Sequence, residues 1–81
     1  MKIRVRYFSQ LKEIAGASDE VVDLHPAATV ADLLAQVYRL HPGLQKWDRQ
    51  LLIGAGLEFV GRDYLIQTEE EIALMPPVQG G

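Results

Sequence analysis

The sequence predicts an α+β domain in which a mixed sheet of about four to five strands carries one main amphipathic helix across one face. Apolar residues alternate with polar ones over residues 2–8, which is typical of a half-buried strand. Residues 30–40 instead place apolar side chains at helical spacing. The chain has 81 residues, 48% of them hydrophobic, which suffices for one small core. The apolar stripe of the helix must cover a sheet, because nothing else in so short a chain can bury it.

The first third of the chain predicts two strands joined by a short helix. The inward positions of the first strand are Ile3, Val5 and Tyr7. Ser9 stands where an N-cap is expected for a helix over residues 10–15, and Gly16 is a typical C-terminal stop. Residues 20–24 form the second strand. Strands connected in this way can pair as neighbours.

The main helix has the clearest signal. Thr29 and Asp32 lie three residues apart and make an approximate capping box. The helix is expected to end at His41, because the residue before a proline resists helical angles. The stripe that we expect to pack on the sheet consists of Val30, Leu33, Leu34, Val37 and Leu40.

The second half of the chain predicts three more strands separated by turns. These strands are residues 51–53, 57–60 and 71–75. Gly54-Ala55-Gly56 is expected to be a turn, and residues 64–66 a helical turn. Glu69-Glu70-Glu71 is interpreted as a polar loop that enters the last strand. Residues 44–50 fit no element clearly, and Trp47 within them is expected to lie over the edge of the core.

Composition excludes several kinds of protein. The absence of cysteine excludes disulfides, thiolate zinc sites and a cysteine nucleophile. Only His25 and His41 are available as imidazole ligands, so no metal site is expected. The net charge of −3 argues against a nucleic-acid partner. The basic N-terminal cluster is expected to be a solvated face; it consists of Lys2, Arg4, Arg6 and Lys12. No apolar stretch approaches the roughly 18 residues of a membrane span, so no membrane partner and a cytoplasmic location are expected.

The end of the chain is its most unusual feature. The last strand leads into Pro76-Pro77-Val78-Gln79-Gly80-Gly81. Prolines favour an extended path, and six residues can span at most about 20 Å. Terminal glycines would let the carboxylate enter a narrow pocket of another protein. A carboxylate is a poor electrophile, but AMP attached to it is a good leaving group, which a sulfur donor can displace to leave a thiocarboxylate. The alternative is a frayed terminus without a role.

Several segments together match one known family. They are Val5-Arg6-Tyr7-Phe8, Leu11-Lys12-Glu13-Ile14-Ala15-Gly16, Thr29-Val30-Ala31-Asp32-Leu33-Leu34, His41-Pro42, Glu71-Ile72-Ala73 and the Pro-Pro-Val-x-Gly-Gly ending. On these segments, essentially the whole chain resembles the small subunits of molybdopterin synthase, the MoaD sulfur carriers, within the ubiquitin-like β-grasp superfamily. The resemblance implies a β-grasp domain over residues 1–75 and a flexible tail over residues 76–81.

The resemblance also implies a function. Gly81, preceded by Gly80, would be adenylated by a MoeB-like activating enzyme that uses ATP. The transient acyl-AMP would become a thiocarboxylate, with sulfur from a donor such as a cysteine desulfurase system. The tail would then enter a MoaE-like large subunit and donate sulfur to the cyclic pyranopterin precursor. Family members work as heterotetramers, so this chain would bind no cofactor itself and would not be a complete enzyme alone.

The partner-binding residues can also be predicted. Phe8, Phe59 and Met75 occupy alternating positions expected to face away from the helix, with an ordinary core role for Phe59 as the alternative. The tail residues expected to bind the partner are Pro76, Pro77, Val78 and Gln79. Three other functions stay open: a sulfur carrier for thiamine or tRNA thiolation, a ubiquitin-like modifier that forms isopeptide bonds through Gly81, and a binding module with an idle tail.

Overall fold

The strands form one mixed sheet of five members. The computed structural model describes residues 1–77. Its strands are β1 (Lys2–Tyr7), β2 (Asp19–Asp23), β3 (Leu52–Ala55), β4 (Glu58–Phe59) and β5 (Glu71–Met75). They lie in the order β2-β1-β5-β3-β4, with β1 and β5 parallel and the other neighbours antiparallel. The predicted mixed sheet, and the pairing of the first two strands, are therefore confirmed.

Alternation along the strands separates an inner face, which forms the core, from an outer face. Strand β1 buries every second residue, and β5 buries Ile72 and Leu74. The inward residues of β3 are Ile53 and Ala55. Since β5 lies between β1 and β3, the strand that precedes the chain terminus is held on both sides.

Helix α2 (Val30–Leu40) covers the inner face. Its capping box is present: the Thr29 hydroxyl accepts from the Asp32 amide at 3.3 Å, and the Asp32 carboxylate accepts from the Thr29 amide at 2.9 Å. The first four residues of the stripe are buried. The prediction for Leu40 is wrong, because this side chain is 49% exposed; Leu44 of the following segment is buried in the core instead.

Two shorter helices flank this layer. Helix α1 (Gln10–Ala15) has the predicted bounds, and Gly16 ends it with φ 77°. Ser9 occupies the N-cap position as predicted, although its side chain makes no capping hydrogen bond. Residues Pro42–Gln50 form a 3-10 helix. Trp47 in this helix packs against the edge of the core, as expected.

Two predicted turns differ from the structure because non-local pairing decides both. Gly54 and Ala55 belong to β3, where they pair with β4 and β5, and the hairpin turns at Gly56, whose φ is 63°. Residues 64–66 form no helical turn. Their backbone binds the start of α2 and the residue before it: the Val30 amide donates to the Tyr64 carbonyl at 3.0 Å, and Thr29 and Leu65 form a β-bridge. Within residues 1–77, none of the helices has the length and apolar content needed to cross a bilayer.

Candidate docking surface

The outer face of the sheet divides into a charged half and an apolar half. On β1 and β2, Lys2 pairs with Asp23 at 3.0 Å, and Arg4 pairs with Asp19 at 3.2 Å. A third pair joins Arg6 to Glu71 of β5 at 3.5 Å. The basic side chains of β1 thus face carboxylates, and this half of the sheet is a solvated, neutral ladder of ion pairs.

The apolar half lies over β5, β3 and β4. In the register of these strands, Leu52 lies opposite Met75, and Gly54 lies opposite both Ala73 and Phe59. With the neighbouring Phe8 and the turn residue Leu57, these residues make up what we call the outer apolar patch. A groove of about 260 Å³ runs across it. Phe59 is 70% exposed, which excludes the alternative that it is an ordinary core residue.

Phe8 extends the patch beyond the end of β1. Its amide donates to the Leu74 carbonyl at 3.2 Å, which continues the pairing of β1 with β5 and places Phe8 beside Met75. The Arg6 guanidinium lies 5.5 Å from the centroid of the Phe8 ring, a cation–π distance. Phe8 is only 37% exposed and lies at the edge of the patch, so Phe59, at 70%, is the more exposed of the two aromatic side chains in the patch.

Gly54 gives the patch its shape. A Cβ at this position would lie 3.2 Å from the Met75 methyl carbon and 3.6 Å from the Ala73 Cβ. The missing side chain therefore lets Met75 lie across β3. Sequence reasoning did not assign Gly54 or Ala73 to the docking surface, although each occupies the outward position between two inward core residues.

The predicted site residues fall into two groups. The structure brings Phe8, Phe59 and Met75 onto one face, and Pro76 and Pro77 follow β5 directly as half-buried residues. The remaining predicted residues, Val78, Gln79, Gly80 and Gly81, lie outside the described residues. The partner-binding and chemical roles of both groups stay predictions.

Each of the two histidines lies beside a carboxylate. His41 Nε2 lies 2.6 Å from a Glu20 carboxylate oxygen that also accepts from the Tyr7 hydroxyl at 2.6 Å. Burial, together with this hydrogen bond to Glu20, raises the pKa of the Tyr7 phenol. His25 lies 3.4 Å from Asp32, whose pKa is lowered chiefly by the hydrogen bond from the Thr29 amide. In the part of the chain that the structure describes, no group of three or more His, Cys, Asp or Glu residues is arranged to hold a metal ion.

Comparison with known proteins identifies the family. The ThiS family pattern matches residues 5–81. The chain is 31% identical over 83 residues to the molybdopterin synthase sulfur carrier subunit of Chlamydomonas reinhardtii, and the match covers 100% of both chains.

Solved structures share the fold over the same length. SAMP1 from Haloferax volcanii matches with a TM-score of 0.86 and 27% identity, covering 100% of both chains. A chain of the complex of subunits 1 and 2 of molybdopterin-converting factor from Helicobacter pylori matches with a TM-score of 0.73, 22% identity and 100% coverage of both, a likeness of fold. The chain therefore belongs to the ThiS family, together with the molybdopterin synthase sulfur carrier subunits, and its fold is the ubiquitin-like β-grasp.

Proposed function

We propose that this protein is the sulfur-carrying small subunit of a molybdopterin synthase, with the sulfur held at the carboxyl group of Gly81. The observation that carries the proposal is the full-length similarity to the molybdopterin synthase sulfur carrier subunit of Chlamydomonas reinhardtii, together with the last two residues of the sequence, Gly80 and Gly81. The chemistry needs only a terminal carboxylate that can enter another protein's active site, and glycine leaves the backbone free to do so.

The proposed chemistry has two activating steps and one transfer. A carboxylate oxygen of Gly81 attacks the α-phosphate of ATP and releases pyrophosphate, which leaves an acyl-adenylate. Hydrosulfide attacks the carbonyl carbon, AMP leaves with the bonding electron pair, and a thiocarboxylate remains. If the donor is a persulfide, the first product is an acyl disulfide, and a thiol must cleave its S–S bond, leaving the thiocarboxylate and a disulfide of the donor. The thiocarboxylate sulfur then attacks a carbon of the pyranopterin precursor and displaces an oxygen substituent, and water cleaves the resulting thioester, which restores the Gly81 carboxylate and leaves the sulfur on the pterin. Because a dithiolene has two sulfur atoms, each product consumes two thiocarboxylated chains. A MoeB-like enzyme would catalyse the activation, and a MoaE-like large subunit would provide the site of transfer.

The geometry at the end of β5 supports this proposal. Met75, the last residue of β5, belongs to the outer apolar patch, and Pro76 follows it directly. A large subunit that covers the patch would therefore lie next to the point where the chain leaves the sheet. Apolar patches of this kind mark protein–protein contacts, and aromatic residues such as Phe59 often carry much of the binding energy.

The central position of β5 suits a carrier. Its inward residues are fully buried, and its backbone pairs with β1 on one side and β3 on the other. A partner could therefore bind the residues after Met75 while β5 stays paired with its two neighbours, so binding would not require the sheet to unfold. We expect changes beyond Pro77 to alter the chemistry and leave the stability of the domain unaffected.

The proposal is tested by intact-mass measurement. The purified protein is incubated with a MoeB-like activating enzyme, ATP and a sulfur source, and should gain the mass of sulfur minus oxygen. The matched control carries one added alanine after Gly81, and we expect it to gain none. Absence of the mass change in the natural chain, or an equal change in the extended chain, would contradict the proposal.

A second candidate is a ubiquitin-like protein modifier. It is favoured by the 27% identity to SAMP1, the small archaeal modifier protein 1 of Haloferax volcanii. In this case a lysine amine would attack the acyl-adenylate at Gly81, release AMP and form an isopeptide bond. An affinity-tagged chain expressed in cells should then give a ladder of conjugates that survives reducing agents and disappears when Gly80 and Gly81 are deleted. A carrier for thiamine or tRNA thiolation would instead show the mass change without transfer to a pyranopterin.

A further inference from the structure

A second groove lies on the helical layer, on the opposite side of the sheet from the outer apolar patch. It has a volume of about 480 Å³ and lies between α2, the 3-10 helix and the loop after β4. Its lining residues are Ala31, Leu34, Ala35, Tyr38, Arg39, Gln45, Asp48 and Arg62. None of them belongs to the outer apolar patch, so the two surfaces can be occupied in the same molecule.

The floor of this groove is apolar, and the residues of its wall are held in place by hydrogen bonds and an ion pair. Ala31, Leu34 and Ala35 present small or buried apolar groups along successive turns of α2. On the wall, the Tyr38 hydroxyl donates to Asp48 at 2.5 Å, and the Arg62 guanidinium lies 3.4 Å from the same carboxylate. Arg62 also donates to the Asp48 carbonyl. These contacts tie α2, the 3-10 helix and the loop together, so the groove is formed before any partner arrives.

The rim of the groove concentrates positive charge. An adjoining cavity of about 410 Å³ along the 3-10 helix adds Lys46 and Arg49 to Arg39 and Arg62. Four of the eight basic residues of the chain thus lie around these cavities, with Asp48 as the one carboxylate in their lining. The rest of the chain holds four basic and ten acidic residues. Within residues 1–77, no ion pair engages Arg39, Lys46 or Arg49.

We propose that this groove binds an acidic, amphipathic segment of a partner protein. Apolar side chains of the segment would rest on the alanine floor, while its carboxylates would meet the cationic rim. Charge complementarity favours this occupant. The positive rim attracts an acidic segment, while the rest of the surface, on a protein of net charge −3, repels it. A nucleic acid is disfavoured, because Tyr38, the one aromatic residue in the lining of the two cavities, has its hydroxyl bound to Asp48, and the net charge of the chain is negative. The proposal does not depend on the sulfur-carrier function.

The test is an NMR titration of the ¹⁵N-labelled full chain. The probe is a synthetic helix-forming peptide with glutamates on one face and leucines at spacing i, i+3, i+4 and i+7 on the other. We expect saturable shifts confined to residues 31–39, 45–50 and Arg62, and weaker binding as salt is added. The double variant Arg39→Glu/Arg49→Glu should bind about tenfold or more weakly. The matched control is Lys12→Glu, a charge reversal in α1 outside both cavities, and it should change the affinity by less than about twofold.

A second variant separates the floor from the charge. Ala35→Gln leaves the net charge unchanged and introduces another good helix former, but its longer polar side chain would occupy the apolar floor of the groove. It should therefore weaken peptide binding about fivefold. Circular dichroism checks each fold, and Arg39→Gln/Arg49→Gln replaces the charge-reversed pair if that pair unfolds. Shifts centred on the outer apolar patch, an equal loss in Lys12→Glu, no effect of Ala35→Gln, or tighter binding of a short RNA than of the peptide would each overturn the proposal.

Discussion

Phe59→Ala should weaken docking of the large synthase subunit while leaving the fold intact. A phenylalanine side chain buries roughly 200 Å² when fully covered, so at 70% exposure about 140 Å² of Phe59 is still available to a partner. At about 25 cal/mol per Å², covering all of it would contribute about 3.5 kcal/mol. A partner covers only part of this area, and the alanine methyl keeps some contact. We therefore expect a loss of about 2 kcal/mol, which is roughly a thirtyfold higher Kd.

Isothermal titration with a MoaE-like subunit measures this effect. The matched control is Val21→Ala on β2, which removes an apolar side chain that is 51% exposed on the charged half of the same outer face. Val21→Ala should change the Kd by less than about twofold, because it lies outside the outer apolar patch. Thermal melting should show that both variants stay folded. If both substitutions weaken binding equally, or neither does, the assignment of the outer apolar patch is wrong.

Three further predictions concern the fold. Gly56→Ala should cost about 1 kcal/mol in urea unfolding, because φ is 63° while no heavy atom lies within 4 Å of the added Cβ; an unchanged free energy of unfolding would contradict this. Asp32→Asn should reduce the loss of unfolding free energy that the wild type shows as the pH falls. The pKa of Asp32 is lowered in the folded state, so its carboxylate stabilises the protein at pH values above the unfolded pKa of about 3.9. This stabilisation is lost as the pH falls through the lower folded pKa. Urea midpoints measured between about pH 2 and 6 would refute it if wild type and variant ran parallel. Ile72→Val, a fully buried change in β5, should cost about 1 kcal/mol, and an unaltered melting temperature would count against tight packing there.

Elements governed by local chemistry could be predicted from the sequence. The capping box of Thr29 and Asp32, the left-handed Gly16 and the alternation along β1 depend on residues a few positions apart. Each fixes an element boundary or a face without reference to the rest of the chain. The stripe on α2 then requires a sheet to cover it, so the fold class follows from these local signals.

The elements that were predicted wrongly depend on distant partners. Gly54 lies in a Gly-Ala-Gly segment typical of a turn, but it belongs to β3 because it pairs with Phe59 of β4 and Ala73 of β5. Leu65 pairs with Thr29 across more than thirty positions of sequence, which no local pattern indicates. For the same reason the outer apolar patch was only partly foreseen: its aromatic members stand out in the sequence, while Gly54 and Ala73 gain meaning from the strand register alone. The basic groove combines α2, the 3-10 helix and Arg62, and likewise needs the tertiary fold.

The most direct measurement follows the sulfur itself. The chain carrying a thiocarboxylate at Gly81 is mixed with the large subunit and the pyranopterin precursor, and the intact mass of the carrier is recorded over one turnover. The account predicts that two carrier chains return to the mass of the carboxylate form for each dithiolene that appears, and only when subunit and precursor are both present. A carrier that keeps its sulfur while product forms, or that loses it without product, would contradict the account.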